Sequence, residues 1–196
     1  DMFNTAVGYA AGGVITTGRY NTIMGGLAGD ALTEGSQNIA IGYSALTSDT
    51  KGSKSIAIGE SALYAQNFTT ATDTYNVAVG ENAGMAVTTG VQNTLIGGLA
   101  GDSLNTGQEN IALGYNALTL DTKGSHSVAI GSHALLQQNF SSATNSFNVA
   151  IGSSAGQQVT TGIYNTLIGG LAGDALTDAD RNVALGYGAL GACQLG

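Results

Sequence analysis

The chain has 196 residues and a formal net charge of −8, and 9% of its residues are charged while 43% are hydrophobic. Disorder requires the opposite balance, so a disordered chain is excluded, and the absence of proline beside 31 glycines excludes collagen. Five basic residues form no patch for phosphates, so we expect no nucleic-acid partner. No apolar run approaches the ~18 residues of a membrane span, so we expect no membrane insertion. Cys193 is the single cysteine and has no intrachain partner for a disulfide.

One short phrase recurs eleven times along the chain. It consists of Asn or Ser, three mostly apolar residues, an invariant Gly, two variable residues and an invariant Ala. Successive starts are separated by 17, 17, 17 and 21 residues, and this series of 72 residues then repeats. We therefore predict a single repetitive domain over 1–196, with long repeats at 4–75, 76–147 and 148–196, and we expect it to be a segment of a longer fibre. The phrase starts at Asn4, Asn21, Asn38, Ser55, Asn76, Asn93, Asn110, Ser127, Asn148, Asn165 and Asn182.

Each unit predicts one short strand followed by turns. In the unit that starts at Asn76, three apolar residues precede Gly80, which permits a tight bend or a positive φ. Seventeen residues suit one coil of an all-β parallel β-solenoid, in which coils stack because none buries its apolar residues alone. Stacking predicts columns of Gly and Ala and a hydrogen-bonded ladder of leading Asn or Ser side chains. At ~4.8 Å per coil, about eleven coils give a rod roughly 50 Å long.

The middle residue of the strand suggests how copies associate. It is Ala in most coils and Ile23, Leu95 or Leu167 in three of them. Because alternate side chains point to opposite faces, we assign the two flanking residues to one face and this middle residue to an outward stripe. An apolar stripe of that length is typical of an interface. We therefore expect a homotrimer in which three stripes meet around one axis.

The fourth coil of each long repeat carries four extra residues, and insertions in a solenoid form loops on one side. Exposed aromatic and amide side chains on such loops are candidate contacts for a host-surface glycan or protein. The alternative is that the rings fold back and cover the coil. Beside these loops, Asp49 with Lys51 and Asp121 with Lys123 predict exposed ion pairs. The candidate contact residues are Tyr64, Asn67, Phe68, Tyr75, Asn139, Phe140 and Phe147.

Two fibrous families share this phrase. Residues 4–12, followed by 17–22, resemble repeats of phage tail fibre proteins, in which a chaperone domain absent from this chain often follows. Residues 127–131 are similar to the repeat of trimeric autotransporter adhesin heads, which are left-handed parallel β-rolls with shorter coils. The first resemblance implies a trimeric shaft of a virion tail fibre that contributes to host attachment, and left-handed coils are expected from the likeness to the adhesin heads. The second implies an adhesin head or another filament at the bacterial surface.

Enzymatic chemistry has little support in the residues. Residues 58–63 also fit the hexapeptide pattern of left-handed β-helix acyltransferases, which use a His as general base, but here the pattern occurs once per coil instead of three times. The only histidines, His126 and His133, occupy variable positions. Asp30 and its two equivalents lie four coils apart, roughly 19 Å, and so cannot share a metal ion. We therefore predict no catalytic residues, no cofactor and no metal site.

Overall fold

A computed structural model of the protein describes residues 2–192, which form a parallel β-solenoid and contain no helix. Eleven three-residue strands, one per coil, build one sheet in the order β1-β2-β3-β5-β7-β8-β9-β11-β13-β14-β15. This confirms the predicted fold class, coil number and coil length. Four two-residue strands form two further pairs, β4 with β6 and β10 with β12. The strands are β1 Thr5–Val7, β2 Thr22–Met24, β3 Ile39–Ile41, β4 Gly52–Ser53, β5 Ile56–Ile58, β6 Thr72–Asp73, β7 Val77–Val79, β8 Thr94–Ile96, β9 Ile111–Leu113, β10 Gly124–Ser125, β11 Val128–Ile130, β12 Thr144–Asn145, β13 Val149–Ile151, β14 Thr166–Ile168 and β15 Val183–Leu185.

The coils stack in strict register. Every strand of the large sheet pairs in parallel with its neighbours, so that Ala57, for example, lies opposite Ala78. Backbone hydrogen bonds also join the coils outside the strands, as between the Leu63 N–H and the Ala83 carbonyl at 3.1 Å. Among residues 2–192 no helix has the length and apolar character needed to cross a membrane.

Left-handed backbone conformations form the corners of each coil. In the coil of β7 they occur at Tyr75 (φ 51°), Asn82 (φ 55°) and Gly84 (φ 59°). The invariant Gly80 that ends the strand has φ 138°, a region that side-chain-bearing residues rarely adopt. A Cβ on Gly80 would lie 2.5 Å from the carbonyl oxygen of Gly97 in the next coil. The Gly column therefore serves both the bend and the close approach of coils.

The middle residue of each strand faces the interior, which corrects the outward stripe inferred above. Ile23, Leu95 and Leu167 are fully buried, as is nearly every Ala at the same position. The flanking residues face outward instead, so that Val77 and Val79 are only partly covered. Alternation did predict which residues share a face, but both faces are apolar. The assignment of inside and outside was therefore wrong, because hydrophobicity alone does not distinguish them.

Small and large residues complement each other inside the coils, which accounts for the four-coil rhythm. A Cβ on Gly84 or on Gly101 would lie within 2.8 Å of a Leu95 methyl carbon, so both glycines make room for this side chain. In the following two coils the equivalents of these glycines are Leu118 and Leu135, both buried, and the strand centres return to Ala. The interior thus keeps a constant volume while the position of its large residue changes, as close packing requires.

A buried ladder of asparagines runs along the interior corner, as predicted. Asn93 donates its side-chain amide to the Gly107 carbonyl at 3.0 Å, and its carbonyl oxygen accepts from the backbone N–H of Asn110 at 3.0 Å. Asn93 and Asn110 are both fully buried. Each Asn thereby satisfies groups of its own coil and of the next, and buried amides are stable only when satisfied in this way.

Candidate interaction surfaces

The large sheet presents an uncharged apolar surface, which we call the outer sheet face. It consists of the first and third residues of the eleven strands, twenty-two side chains in all. Eighteen of these are Val, Ile, Leu or Met, the other four are Thr, and none is charged. Ile96, Ile111 and Ile151 are more than a third exposed, and most of the remaining members are partly covered by their neighbours. The chain therefore places its bulky β-branched residues outside and Ala and Gly inside.

The outer sheet face is as large as the largest apolar patches that monomers usually expose. Eleven strands at ~4.8 Å spacing, each ~10 Å long, span a flat area of about 500 Å². Soluble monomers rarely carry contiguous apolar patches larger than a few hundred Å², and such patches mark interaction sites. The face has the extent and chemistry of an interface.

The residues that directly precede each leading Asn or Ser form a second column along the rod, which we call the outer ladder. The rings of His126 and Phe147 stack with centroids 4.9 Å apart, and those of Phe147 and Tyr164 with centroids 5.6 Å apart. The Arg181 guanidinium then lies 5.4 Å from the centroid of the Tyr164 ring. Earlier in the column, the Lys54 ammonium is 5.0 Å from the centroid of Tyr75. Because neighbours cover ring faces along this stretch, the ladder offers mainly ring edges to a ligand.

The structure separates the predicted receptor contacts into exposed and buried residues. Phe68 and Phe140 are only 8% and 5% exposed, so their rings are not available to a receptor, and the alternative that they fold back holds for these two. A Cβ on Gly124 would lie 2.9 Å from the Phe140 ring, which packs over this glycine. Tyr64, Asn67, Tyr75, Asn139 and Phe147 remain on the surface, and Tyr75 and Phe147 belong to the outer ladder.

The fourth coil of each long repeat, which carries the insertion, contains a buried polar network that the sequence did not indicate. Where Ser55 replaces Asn in the ladder, Gln66 donates to the Ser55 hydroxyl at 2.8 Å and to the Asp49 carboxylate at 2.6 Å. The Gln66 carbonyl oxygen accepts from the Asn76 amide at 2.8 Å, which rejoins the ladder. The insertion also adds β6, which pairs with β4. Gln138 makes the same connections in the second long repeat.

Asp49 and Asp121 are fully buried, so the prediction of exposed ion pairs with Lys51 and Lys123 was wrong for both. Asp121 accepts from the Gly124 N–H at 2.9 Å and from the Gln138 amide at 2.6 Å. Burial raises the pKa of the Asp121 carboxyl, although these hydrogen bonds oppose the shift. Lys51 pairs with Glu34 instead, at 2.8 Å. The register of the repeat could have indicated that Asp49 and Gln66 are buried, because they occupy the column that holds Leu32 and other buried apolar residues elsewhere.

The two histidines lie at the surface and do not meet each other in a common site. His126 is 3.3 Å from a carboxylate oxygen of Glu109, and His133 accepts or donates a 2.8 Å hydrogen bond with Ser132. No pocket was found on the described part of the chain, residues 2–192. Within the same residues, no three His, Cys, Asp or Glu side chains cluster in a way that could hold a metal ion. Cys193 lies outside the described residues.

Comparisons with protein families, with curated proteins and with solved structures gave no match to this chain.

Proposed function

We propose that the chain is a structural segment of a fibre, the shaft of a phage tail fibre, which forms a rigid rod and contributes to host-surface attachment. The observation that carries this proposal is the outer sheet face, a continuous apolar surface that follows all eleven coils. A rod built from in-register parallel coils resists unfolding because its backbone groups are paired along its length. In this proposal the segment belongs to the virion and has no enzymatic function.

The partner that fits the outer sheet face best is a second and third copy of the same chain. The face is uncharged, apolar and repeated with the period of the coil, so it is complementary in chemistry to a second copy of itself. Three copies arranged around an axis would remove about 1,500 Å² of flat area from water, using the ~4.8 Å strand spacing. We therefore propose a homotrimer, with left-handed coils as in the adhesin heads that the sequence resembles.

Mass in solution tests the association directly. We expect sedimentation equilibrium to give three times the chain mass of 19.5 kDa. An Ile96→Glu variant places a charge in the centre of the face, where burial without a partner is strongly unfavourable, and should be monomeric. The control is Gln158→Glu, which adds the same charge at an exposed position outside the strands. A monomeric parent chain would refute the proposal.

Receptor contact is a separable part of this function. The surface members of the predicted set, among them Tyr64, Asn67 and Phe147, would touch a glycan or protein of the host surface. Substitution of Tyr64 and Asn67 by Ala should reduce binding of the chain to host cells while the thermal midpoint changes little. Equal binding by parent and variant would exclude them as contacts.

The head of a bacterial trimeric adhesin is the second candidate, because the same face and phrase suit it equally. Sequence flanking this segment distinguishes the two candidates: a chaperone domain favours the tail fibre, and a membrane anchor favours the adhesin. An acyltransferase is the third candidate. It predicts an acetyl-transfer activity that falls in His126→Ala or His133→Ala variants, and a parent chain without such activity would eliminate it.

A further inference from the structure

Threonines interrupt the outer sheet face at a fixed interval. Thr22, Thr94 and Thr166 are the first residues of β2, β8 and β14, so they lie 72 residues and four coils apart. Their partners in the following strands are Ile39, Ile111 and Val183. Apart from Thr5 in the first strand, every other outward position on the face is apolar. A hydroxyl therefore returns in every fourth layer of an otherwise apolar surface.

These threonines change the chemistry of the face without changing its shape. Thr and Val have nearly the same outline, and Thr differs by a hydroxyl in place of a methyl group. Among residues 2–192, the hydroxyls of Thr22, Thr94 and Thr166 have no hydrogen-bond partner within the chain. Threonines elsewhere on the coils do, as between the Thr33 hydroxyl and the Thr50 carbonyl at 3.0 Å. Together with that of Thr5 in the first strand, the three outward hydroxyls are the donors and acceptors that the face leaves open.

We propose that Thr22, Thr94 and Thr166 set the axial register between copies of this chain. The inference rests on the self-association proposed above. Around a symmetry axis parallel to the rod, equivalent residues lie at the same height, so three Thr hydroxyls meet in one layer. Each hydroxyl can donate one hydrogen bond and accept another, and three of them close a ring. A polar residue that fixes register within an apolar interface has a precedent in coiled coils.

Slipped arrangements lose these hydroxyl pairs. A shift of one, two or three coils places Thr94 and Thr166 against Val, Ile or Leu of another copy, where their hydroxyls are buried without partners. A shift of four coils restores the match but leaves four layers of each end uncovered. An all-apolar face would oppose these shifts only through the end layers that each shift uncovers, because its layers are nearly equivalent in shape. The threonines therefore favour the fully overlapped rod.

Disulfide crosslinking between copies measures their axial register. In a Cys193→Ser background, chains with Ile96→Cys are co-expressed with chains with Ile130→Cys, two strands further along the sheet. In register, these positions are separated by roughly 9.6 Å along the axis, at ~4.8 Å per strand. That exceeds the ~7 Å limit on the Cα separation of a disulfide. Oxidation should therefore link like positions only, and a slip of one to three coils would link unlike positions.

The test compares two triple substitutions at the three threonines. Substitution by Val should produce unlike crosslinks that the parent lacks, as the minor product because every slip uncovers end layers, and substitution by Ser, which keeps the hydroxyls, should retain like crosslinks alone. Like crosslinks alone in the Val variant, or slippage in the Ser variant as well, would overturn the proposal. If the triple Val substitution prevents folding, the three single Val variants replace it: each should raise the yield of unlike crosslinks above that of the parent, and parent-like yields in all three would overturn the proposal. A monomeric parent in sedimentation would instead refute the self-association itself.

Discussion

Substitution of Gly114 by Ala tests the Gly column that allows the coils to approach each other. Gly114 has φ 139°, and a Cβ there would lie 2.6 Å from both the carbonyl carbon and the carbonyl oxygen of Gly131. A side chain in this backbone region costs about 1–3 kcal/mol. Overpacking against atoms that cannot rotate away costs a further ~1–3 kcal/mol. We expect a total loss of roughly 2–6 kcal/mol.

Thermal unfolding followed by circular dichroism measures this loss. For chains of 150–250 residues, 1 kcal/mol shifts the midpoint by about 2–4 °C, so we expect a drop of roughly 5–20 °C. Gly98→Ala is the matched control, because Gly98 lacks a left-handed φ and its Cβ would lie in ordinary contact, 3.5 Å from the Tyr115 ring. Parent and variants are compared at one concentration, since association changes the midpoint. Equal midpoints for Gly114→Ala and Gly98→Ala would refute the role of the column.

Three further predictions concern the interior and the outer ladder. Gln66→Ala removes the side-chain donor to one oxygen of the buried Asp49 carboxylate and one acceptor of the Asn76 amide, and it should lower the free energy of unfolding in guanidinium by ~2–4 kcal/mol. Gln158→Ala at an exposed site should have little effect. Burial raises the pKa of Asp121, so the folded chain keeps this proton to higher pH than the unfolded chain does. The contribution of Asp121 to stability is complete below the unfolded pKa of ~3.9 and is lost as pH rises through the folded pKa. The free energy of unfolding, measured across about pH 3–7, should therefore decline less steeply for Asp121→Asn than for the parent. Phe140→Ala should lower the free energy of unfolding by ~3–5 kcal/mol because Phe140 is buried. Phe147→Ala removes stacked contacts of a partly exposed ring and should lower it by ~0.5–1.5 kcal/mol. Equal losses would contradict the assignment of Phe140 to the interior and Phe147 to the surface.

The fold could be predicted from the sequence because its period is explicit. Repetition of one phrase determines the register of stacking, and the Gly and Asn columns follow from it without further assumptions. The outward direction could not be predicted from alternation, because Val77 and Val79 on one side and Ala78 on the other are all apolar. The complementarity of Leu95 with Gly84 and Gly101 was the missing signal, since side chains that exchange volume must lie in the same interior.

The candidate site was predicted less completely than the fold. Tyr75 and Phe147 lie in the outer ladder because the residue before the leading Asn or Ser occupies a left-handed corner that directs it outward, and this corner is not visible in the sequence pattern. Phe140 and Asp121 were assigned to the surface because aromatic and acidic residues in a loop are usually exposed. Asp121 is buried instead because Gln138 and three backbone N–H groups satisfy its oxygens.

The placement of Ile and Val outside and Ala inside predicts that association depends on the length of the rod. Each coil adds about 48 Å² of outer sheet face per copy, from ~4.8 Å by ~10 Å. At ~25 cal/mol per Å² this is about 1.2 kcal/mol per coil. The loss of translational and rotational freedom, roughly 4–15 kcal/mol, is incurred once for each copy that joins. A few coils therefore remain dissociated, whereas a long stack associates.

A chain that ends after the second long repeat provides the test. Residues 4–147 contain eight of the eleven coils and keep the complete network around Gln66, whereas Gln138 loses one partner, the Asn148 amide. Three missing coils remove about 3.6 kcal/mol of apolar burial per copy at ~25 cal/mol per Å², so each added copy should bind roughly two to three orders of magnitude more weakly, at 1.4 kcal/mol per factor of ten. Sedimentation over a dilution series compares the two chains, and circular dichroism confirms that the shorter one is folded. Equal dissociation constants for a folded short chain would mean that the copies meet elsewhere than on the outer sheet face.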